Sequence, residues 1–253
     1  AYDGLNRRIE KAVGSTTEHF YYNQSHQLLE VRQDGVSDPV EEYVWHPHYV
    51  DALAVRYHDT NADGDFADNN EEQFACFDGN FNVSVLIGNI GVIERYRYTA
   101  YGQITAYEGK SADFDLDGDV DVTDYNIWNT NNGTSGGHAK GDANGDGNVD
   151  VSDYNVWNGQ KFTYESSLAT SAITNPVTYT GRRLDSETGL YYYRARFYDP
   201  KLGRFLTRDP IGYEGSQWNL YEYVGSGPIN REDPSGTAYP RKTCSKCGRS
   251  YQL

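Results

Sequence analysis

The 253-residue sequence contains no methionine, only three cysteines, and no apolar run long enough for a transmembrane helix, so we expect no membrane span. Because the chain also begins at Ala1, we expect it to be a processed or excised part of a longer protein. Its basic residues form no stripe, and 22 lysines and arginines stand against 37 acidic residues. Without a stripe to neutralise phosphates, nucleic-acid binding is disfavoured.

The net charge of −15 comes from two segments. Residues 111–160 carry ten aspartates and one lysine, and residues 59–72 carry six acids and no base. The other residues are neutral in sum, so the chain is a neutral scaffold with two acidic segments. Solvated charge runs are the usual explanation of such segments, but the regular spacing of these carboxylates indicates a more specific role.

The three cysteines are too few for a dense disulfide framework. Cys76 stands alone, whereas Cys244 and Cys247 form a candidate thiol pair in the text TCSKCGRSY near the C-terminus. A structural zinc site needs four ligands, and this pair supplies two. A truncated zinc knuckle and a disulfide in the tail are both open for it.

What the chain has in quantity is tyrosine and glycine, with 23 and 26 residues, and it has little helical periodicity. Segments such as TTEHFYYN and LAVRYHD are rich in β-branched and aromatic residues and are bounded by Gly, Asn or Asp. We therefore predict a mainly β body. The stretches YDGLNRRIEKAVG and YRYTAYGQ resemble tyrosine-aspartate (YD) repeats, the second without its aspartate.

One acidic motif occurs twice, 29 residues apart, as ADFDLDGDVDVTDYNIW from Ala112 and as GDANGDGNVDVSDYNVW from Gly141. Its oxygen-bearing residues stand at positions 1, 3, 5, 7, 9 and 12 of a calcium loop, with glycine at position 6 for the sharp turn. We predict two calcium ions at these residues: Asp113, Asp115, Asp117, Asp119, Asp121 and Asp124 in the first loop, and Asp142, Asn144, Asp146, Asn148, Asp150 and Asp153 in the second. The alternative is a pair of Asx-rich turns that cap short helices, which two matching copies disfavour.

This pair of loops resembles a type I dockerin domain, in which each calcium loop is followed by a helix. The resemblance covers about residues 111–160 and implies calcium binding. Type I dockerins carry a Ser/Thr pair at positions 10 and 11, where their cohesin partners bind, but this chain has Val122–Thr123 and Val151–Ser152. We therefore expect no tight cohesin binding, while another protein partner or self-assembly stays open.

The segment DTNADGDFADNNEE imitates the same loop, with Asp59, Asn61, Asp63 and Asp65 at positions 1, 3, 5 and 7. Its position 12 is Asn70, and strand-like text follows where a helix would be expected. A third calcium site and a solvated hairpin tip are equally compatible with this text.

Residues 179–236 contain the most specific text of the chain, the run GLYYYRARFYDPKLGRFLTRDPIG. This run closely resembles the core associated with rearrangement-hot-spot (RHS) repeats. The resemblance implies the C-terminal part of a spiral β-sheet shell that encloses the chain's own C-terminal segment, often a toxin. Alternation within YYYRARFY predicts one strand, with Tyr192, Arg194, Arg196 and Tyr198 on the same face.

The expected fold is therefore mainly β, the C-terminal part of an RHS/YD-repeat spiral β-sheet shell with a small α-helical, dockerin-like insert. The predicted domains are YD-repeat-like strands over residues 1–110, the calcium-binding insert over 111–160, the RHS core over 161–236, and a tail over 237–253 that contains the cysteine pair.

In toxin-carrying members of the RHS group, the core cuts its own chain just after a DPxGL segment, using aspartates of the core. By motif match the catalytic candidates are Asp209, with Arg208 beside it, and Asp233. Two adjacent carboxyl groups do not both ionise, so one can serve as an acid while the other activates water. Alternatively both aspartates only shape Asp-Pro turns. Thr237 stands where the family has leucine.

From the sequence we favour a non-enzymatic, calcium-binding protein, extracellular or at the cell surface, that ends an RHS-type shell. This hypothesis predicts no spontaneous cut near Gly236–Thr237. The alternatives are a self-cleaving aspartyl toxin carrier, and an adhesion or assembly module that docks a partner or further copies through its paired loops.

Overall fold

The computed structural model of the chain describes residues 1–47, 49–170, 174–215, 219–237, 241–243 and 250–252. It is mainly β, as predicted, and its largest element is a ten-stranded antiparallel sheet. In the described part of the chain, no helix is long and apolar enough to cross a membrane.

Nine strands of this sheet follow one another in chain order: β1 Glu10–Val13, β2 Thr16–Tyr22, β3 Leu28–Gln33, β4 Glu41–Trp45, β5 Leu53–His58, β6 Glu72–Phe77, β7 Val83–Gly88, β8 Gly91–Tyr98 and β9 Ile104–Glu108. Alternating side chains direct one face of each strand inward. In β8, Val92, Glu94 and Tyr96 are buried, whereas Arg97 is exposed.

The core of the sheet consists of Phe20, Leu28, Val31, Tyr43, Leu53, Val83, Leu86, Tyr96, Ala106 and Val177. A buried ion pair lies beside it, in which Arg56 Nη2 donates to Glu41. Arg183, from the C-terminal part, approaches the same carboxylate with Nη1 at 3.3 Å from Oε2. The pairing offsets the cost of burying these charges.

The acidic insert leaves the sheet after β9 and returns to it at its edge. Its elements are β10 Asp119–Val120, α1 Val122–Asn131, β11 Thr134–Ser135, β12 Asn148–Val149, α2 Val151–Gln160 and β13 Thr163–Tyr164, and the chain then forms β14 Ser167–Leu168. Because β14 pairs with β9, the two ends of the insert are neighbours.

The two helices of the insert pack through aromatic rings. The rings of Tyr125 and Trp157 lie 5.1 Å apart and those of Trp128 and Tyr154 5.0 Å apart, between centroids. Each indole N–H donates to the carbonyl of the residue that caps the other helix, from Trp128 to Asp150 and from Trp157 to Asp121. The two loop-helix units therefore hold each other through equivalent contacts.

The C-terminal part forms a four-stranded sheet from β15 Arg183–Asp185, β16 Leu190–Tyr193, β17 Arg196–Asp199 and β18 Arg204–Phe205, and β19 Arg241–Thr243 pairs with β20 Ser250–Gln252. The prediction of one strand through YYYRARFY was wrong. The chain reverses at Arg194–Ala195, where Arg194 has a φ of +57°, so that Tyr193 lies opposite Arg196.

A cluster of buried aromatic side chains, with Leu184 and Val224, fills the C-terminal part: Tyr179, Tyr191, Tyr193, Tyr198, Phe205 and Tyr223. Ion pairs join this part to the start of the sheet. Arg8 donates to both carboxylate oxygens of Asp185, at 2.6 and 2.9 Å, with both side chains buried. The bidentate geometry fixes the orientation of the two parts at this contact.

Candidate functional site

The two candidate catalytic aspartates lie on either side of one buried guanidinium. Arg196 Nη2 is 3.1 Å from Asp209 Oδ2 and 3.4 Å from Asp233 Oδ2. Arg196 begins β17, directly after the reversal at Arg194–Ala195, and this turn points it at the two Asp-Pro turns. Its guanidinium also covers the ring of Phe205, 3.5 Å from the centroid.

The segment that follows Asp233 folds tightly around its carboxylate. Asp233 Oδ1 accepts the N–H groups of Ser235, Gly236 and Thr237 at 3.2, 2.9 and 3.2 Å. Arg196 Nε donates to the carbonyl of Gly236, one peptide bond before the end of the DPxGL-like segment, after which the RHS resemblance places the cut. One arginine thus touches both carboxylates and the Gly236–Thr237 peptide.

Asp209 lies near the carbonyl of Thr237, which belongs to the following peptide. Gly215 lies between the two groups. A Cβ built on Gly215 would stand 2.5 Å from Asp209 Oδ2 and 2.6 Å from the carbonyl oxygen of Thr237. Burial raises the pKa of Asp209, and the charge of Asp233 adds to this rise, against a hydrogen bond from the N–H of Ile211 and the charge of Arg196. Asp209 is therefore the carboxyl group that retains a proton more readily than an exposed aspartate.

The arginine of this cluster is not the one that the sequence indicated. Arg208 is exposed, and the side chain between the two carboxylates is that of Arg196. Sequence adjacency to Asp209 pointed to Arg208, whereas the hairpin brings Arg196 to the site from the neighbouring strand. Arg196 is part of the text YRARFYDP, but the prediction of a single strand there hid the turn that directs its side chain towards the two aspartates.

The first acidic loop brings its first three predicted ligands together: single carboxylate oxygens of Asp113, Asp115 and Asp117 all lie within 4.8 Å of one another. Burial raises the pKa of Asp113 to about 6, against the lowering effects of the Gly118 N–H and of Arg95. Asp119 Oδ1 is buried and has no hydrogen-bond partner among the described residues. Arg95 Nη2, 3.4 Å from Asp113 Oδ2, compensates part of the negative charge of this loop.

The remaining predicted ligands of the first loop serve the backbone. Asp124 is buried and accepts the N–H groups of Phe114, Asp115 and Asp121, at 2.7, 3.4 and 2.8 Å. Asp121 caps α1 and accepts the N–H of Thr123 at 2.5 Å. These bonds close the loop over the first turn of α1.

The second loop repeats this arrangement. Asp142 accepts the N–H groups of Gly145 and Gly147, Asn144 accepts that of Asp146, and Asp146 that of Asn148. Asp153 is buried and closes the loop as Asp124 does, and Asp150 caps α2. The two loops thus have the same backbone path.

The third acidic loop connects β5 to β6. The side chain that closes it is not Asn70, which the count of loop positions selected. Asp59 accepts the N–H groups of Ala62 and Gly64, at 2.6 and 3.1 Å. The fully buried Glu71 accepts those of Thr60 and Asp68, at 2.8 and 3.1 Å. Asn70 at position 12 instead has a φ of +65°. A longer side chain one position later therefore replaces the aspartate of the other loops.

Within this loop, Asn61 accepts the N–H of Asp63 and Asp63 accepts that of Asp65, both through side-chain oxygens. The two interpretations of this loop, a third calcium site and a solvated hairpin tip, both stay predictions. The candidate thiol pair, Cys244 and Cys247, lies outside the described residues.

No family model matches the chain. It is 52% identical over 56 residues to YibJ, an uncharacterized protein of Escherichia coli K12, and this match covers 22% of the chain and 23% of YibJ. It is 44% identical over 70 residues to the double-stranded DNA deaminase toxin A of Burkholderia cenocepacia, over 27% of the chain and 5% of the toxin. The matches therefore span less than a quarter of either relative.

The fold is similar to part of the Photorhabdus luminescens Tc holotoxin pore, with a TM-score of 0.51 and 17% sequence identity, over 100% of this chain and 9% of that chain. At this identity the similarity concerns the fold alone. Together with the toxin among the relatives, it supports a relationship of RHS type. The dockerin-like character of the insert stays a prediction.

Proposed function

We propose that the chain is the C-terminal part of an RHS-type toxin carrier that cuts itself once, between Gly236 and Thr237, one bond before the position that the family motif implies. The observation that carries this proposal is the position of Arg196, whose guanidinium touches both candidate aspartates and the carbonyl of Gly236. Pairing of two buried aspartates accounts for the contacts of Arg196 Nη2, but it does not require the bond from Nε to the carbonyl of Gly236. We therefore prefer self-cleavage to the non-enzymatic interpretation that the sequence favoured.

In the proposed reaction a water molecule adds to the carbonyl carbon of Gly236. Arg196 Nε stabilises the negative charge that develops on the carbonyl oxygen. Ionised Asp233 takes the proton of the water, and protonated Asp209 gives its proton to the nitrogen of Thr237 as the C–N bond breaks. The products are a carboxylate at Gly236 and an amine at Thr237.

The surroundings of the two carboxyl groups support this division of roles. Burial and the negative charge of Asp233 raise the pKa of Asp209 and so favour its protonated form, although Arg196 and the N–H of Ile211 act in the opposite direction. Asp233 instead accepts three N–H groups, which stabilise a negative charge. One of these is the N–H of Thr237, so this carboxylate lies next to the bond that breaks.

The test is a time course of the full chain made by cell-free synthesis and followed by intact mass spectrometry between pH 5 and 7.5. We expect loss of residues 237–253 from the unmodified chain and none from Asp209→Asn, Asp233→Asn or Arg196→Gln. Asp199→Asn is the matched control, because Asp199 also precedes a proline in a turn but lies outside the cluster. An unmodified chain that stays intact for days would refute the proposal.

We also propose that the insert binds two calcium ions. The proposal is supported by the convergence of Asp113, Asp115 and Asp117 and by the unpartnered, buried oxygen of Asp119 in the described structure. Clustered carboxylate and carbonyl oxygens are the ligands that calcium prefers. The chain's part is to hold these oxygens together, which Asp124 does in the first loop by fixing three N–H groups.

Titration calorimetry tests this second proposal. We expect two binding events in the unmodified chain, and one in either Asp117→Ala or Asp146→Ala. Asp63→Ala removes the equivalent side chain of the third loop. A third binding event in the unmodified chain that is absent from Asp63→Ala would show that this loop also binds an ion. Absence of any binding at millimolar calcium would contradict the proposal.

We further propose that the protein acts outside the cell or at its surface, in contact with protein partners. The toxin among the relatives supports this placement, as does the fold shared with part of a holotoxin pore. Cohesin binding is not proposed, because the exposed Val122 and Val151 offer no hydroxyl group to a partner.

A further inference from the structure

We infer that Asp51, in the connection between strands β4 and β5 of the large sheet, positions the segment that is cut in the proposed self-cleavage. This inference rests on that proposed function and adds a residue from the distant N-terminal half of the chain. Asp51 touches neither the Gly236–Thr237 peptide nor the two catalytic aspartates in any described contact, so its role is that of a positioning residue.

The segment before the cut is held by one turn of the neighbouring hairpin. Three consecutive residues of this turn donate to three consecutive carbonyl groups. Arg194 Nη1 donates to Pro234, the N–H of Ala195 donates to Ser235 at 3.3 Å, and Arg196 Nε donates to Gly236. The position of the turn therefore sets the position of the peptide that reacts.

Gly236 allows this close approach. Its φ is +72°, and a Cβ at this position would collide with the carbonyl oxygen of Tyr193. The backbone before the cut thus lies directly against the end of β16, where small displacements of the hairpin reach the peptide.

Asp51 anchors the turn from the other side. It lies between β4 and β5, is 3% exposed, and accepts Arg194 Nη2 through Oδ1 at 2.8 Å. Its Oδ2 accepts Arg182 Nη2, and the same nitrogen donates to the carbonyl of Pro234 at 2.6 Å. Two arginines that are tied to one buried carboxylate therefore converge on the carbonyl that precedes Ser235.

The arrangement makes cleavage depend on the folded sheet. Asp51 reaches the arginines only when the connection between β4 and β5 is packed against the C-terminal part, where a Cβ on Gly181 would strike the carbonyl oxygen of Asp51. Without this anchor, Arg194 and Arg182 would lose their common partner, and the reacting peptide would lose its fixed orientation. Loss of orientation by about 1 Å can slow a reaction roughly a hundredfold.

The test measures the rate of loss of the uncut full chain, with Asp51→Asn, Arg194→Gln, the double variant, and Asp34→Asn as an exposed control. We expect cleavage about 10- to 100-fold slower in each single variant, at every pH between 5 and 8, with an unchanged pH profile. Because Asp51 and Arg194 share a contact on the way to the reacting peptide, the effects of the two substitutions on the rate should combine to much less than their product in the double variant. Asp34→Asn should cut at the unmodified rate.

Thermal unfolding and far-UV circular dichroism separate a loss of positioning from a loss of fold. If Asp51→Asn does not fold, Arg194→Gln decides, because the side chain of Arg194 is partly exposed. Three results would overturn the inference and leave self-cleavage intact. They are a folded variant that cuts at the unmodified rate, a double variant whose rate loss is the product of the two single losses, and a changed pH profile of the cleavage rate. An intact unmodified chain would instead refute self-cleavage itself.

Discussion

Replacing Glu41 by glutamine should destabilise the protein more than any comparable change on its surface. Glu41 accepts a hydrogen bond from Arg56 and lies 3.3 Å from Arg183, so it joins the sheet to the C-terminal part. Glutamine has the same shape but no charge, so Arg56, which is 1% exposed, would lose its carboxylate partner and keep neutral acceptors such as Gln73 Oε1. Removing one member of a buried ion pair typically costs about 3–5 kcal/mol.

The acidity of Glu41 gives a second estimate of the same quantity. Burial alone would raise the pKa of Glu41, but the charges of Arg56 and Arg183 and the hydrogen bond from Tyr43 outweigh it and hold the pKa at about 2. Relative to an ordinary value of 4.5, this difference corresponds to about 3 kcal/mol of stability at neutral pH. Because the folded-state pKa is lowered, this stability is present above pH 4.5 and is lost as the pH falls towards 2.

Urea unfolding at pH 7 and 3.5 measures both effects. The unmodified chain should lose about 1.4 kcal/mol from this group between the two pH values, a loss that Glu41→Gln should not show. Glu30→Gln is the control, because Glu30 pairs with Arg32 on the surface, and it should cost under about 1 kcal/mol. A cost below 1 kcal/mol for Glu41→Gln would refute the reasoning. So would a difference in stability between the unmodified chain and Glu41→Gln that is the same at pH 3.5 as at pH 7.

Two further changes test the two proposed sites. Gly215→Ala should stop or strongly slow cleavage without unfolding the sheet, because the added methyl group would displace Asp209 Oδ2 and the Thr237 carbonyl. Gly79→Ala is the control, because the space around Gly79 is open. It should not change the cleavage rate measured by mass spectrometry. Removal of calcium with EGTA should make residues 111–160 sensitive to proteases and reduce helix content by circular dichroism, because the proposed ions would stabilise an insert whose own core is small. The large sheet should resist the protease, and equal sensitivity with and without EGTA would count against calcium binding.

The sequence predicted features that depend on local chemistry. The β character followed from alternating aromatic and β-branched residues, and the glycines at position 6 of the loops, Gly118 and Gly147, do have a positive φ of 104° and 85°. It could not predict features that arise from reversals in unusual places. The turn at Arg194–Ala195 has neither glycine nor asparagine to signal it, so the alternation suggested a longer strand and Arg196 was assigned no role at the site.

The third acidic loop shows the same limit. Counting twelve positions selects Asn70, but a left-handed residue at that position shifts the chain by one, and the longer side chain of Glu71 compensates for the shift. Spacing rules assume a fixed backbone path. They fail where a change of path and a change of side-chain length offset each other.

The attachment of the acidic insert allows it to be exchanged as a unit. Its two ends lie on paired strands, and the N–H of Glu108 donates to the carbonyl of Ser166 at 2.9 Å. A tight turn could join these two residues without changing the register of β9 and β14, and a different folded module could be spliced between them. The edge of the sheet is thus a place where a folded module can be gained, lost or replaced, and attachment at both ends would hold a grafted module in a defined orientation.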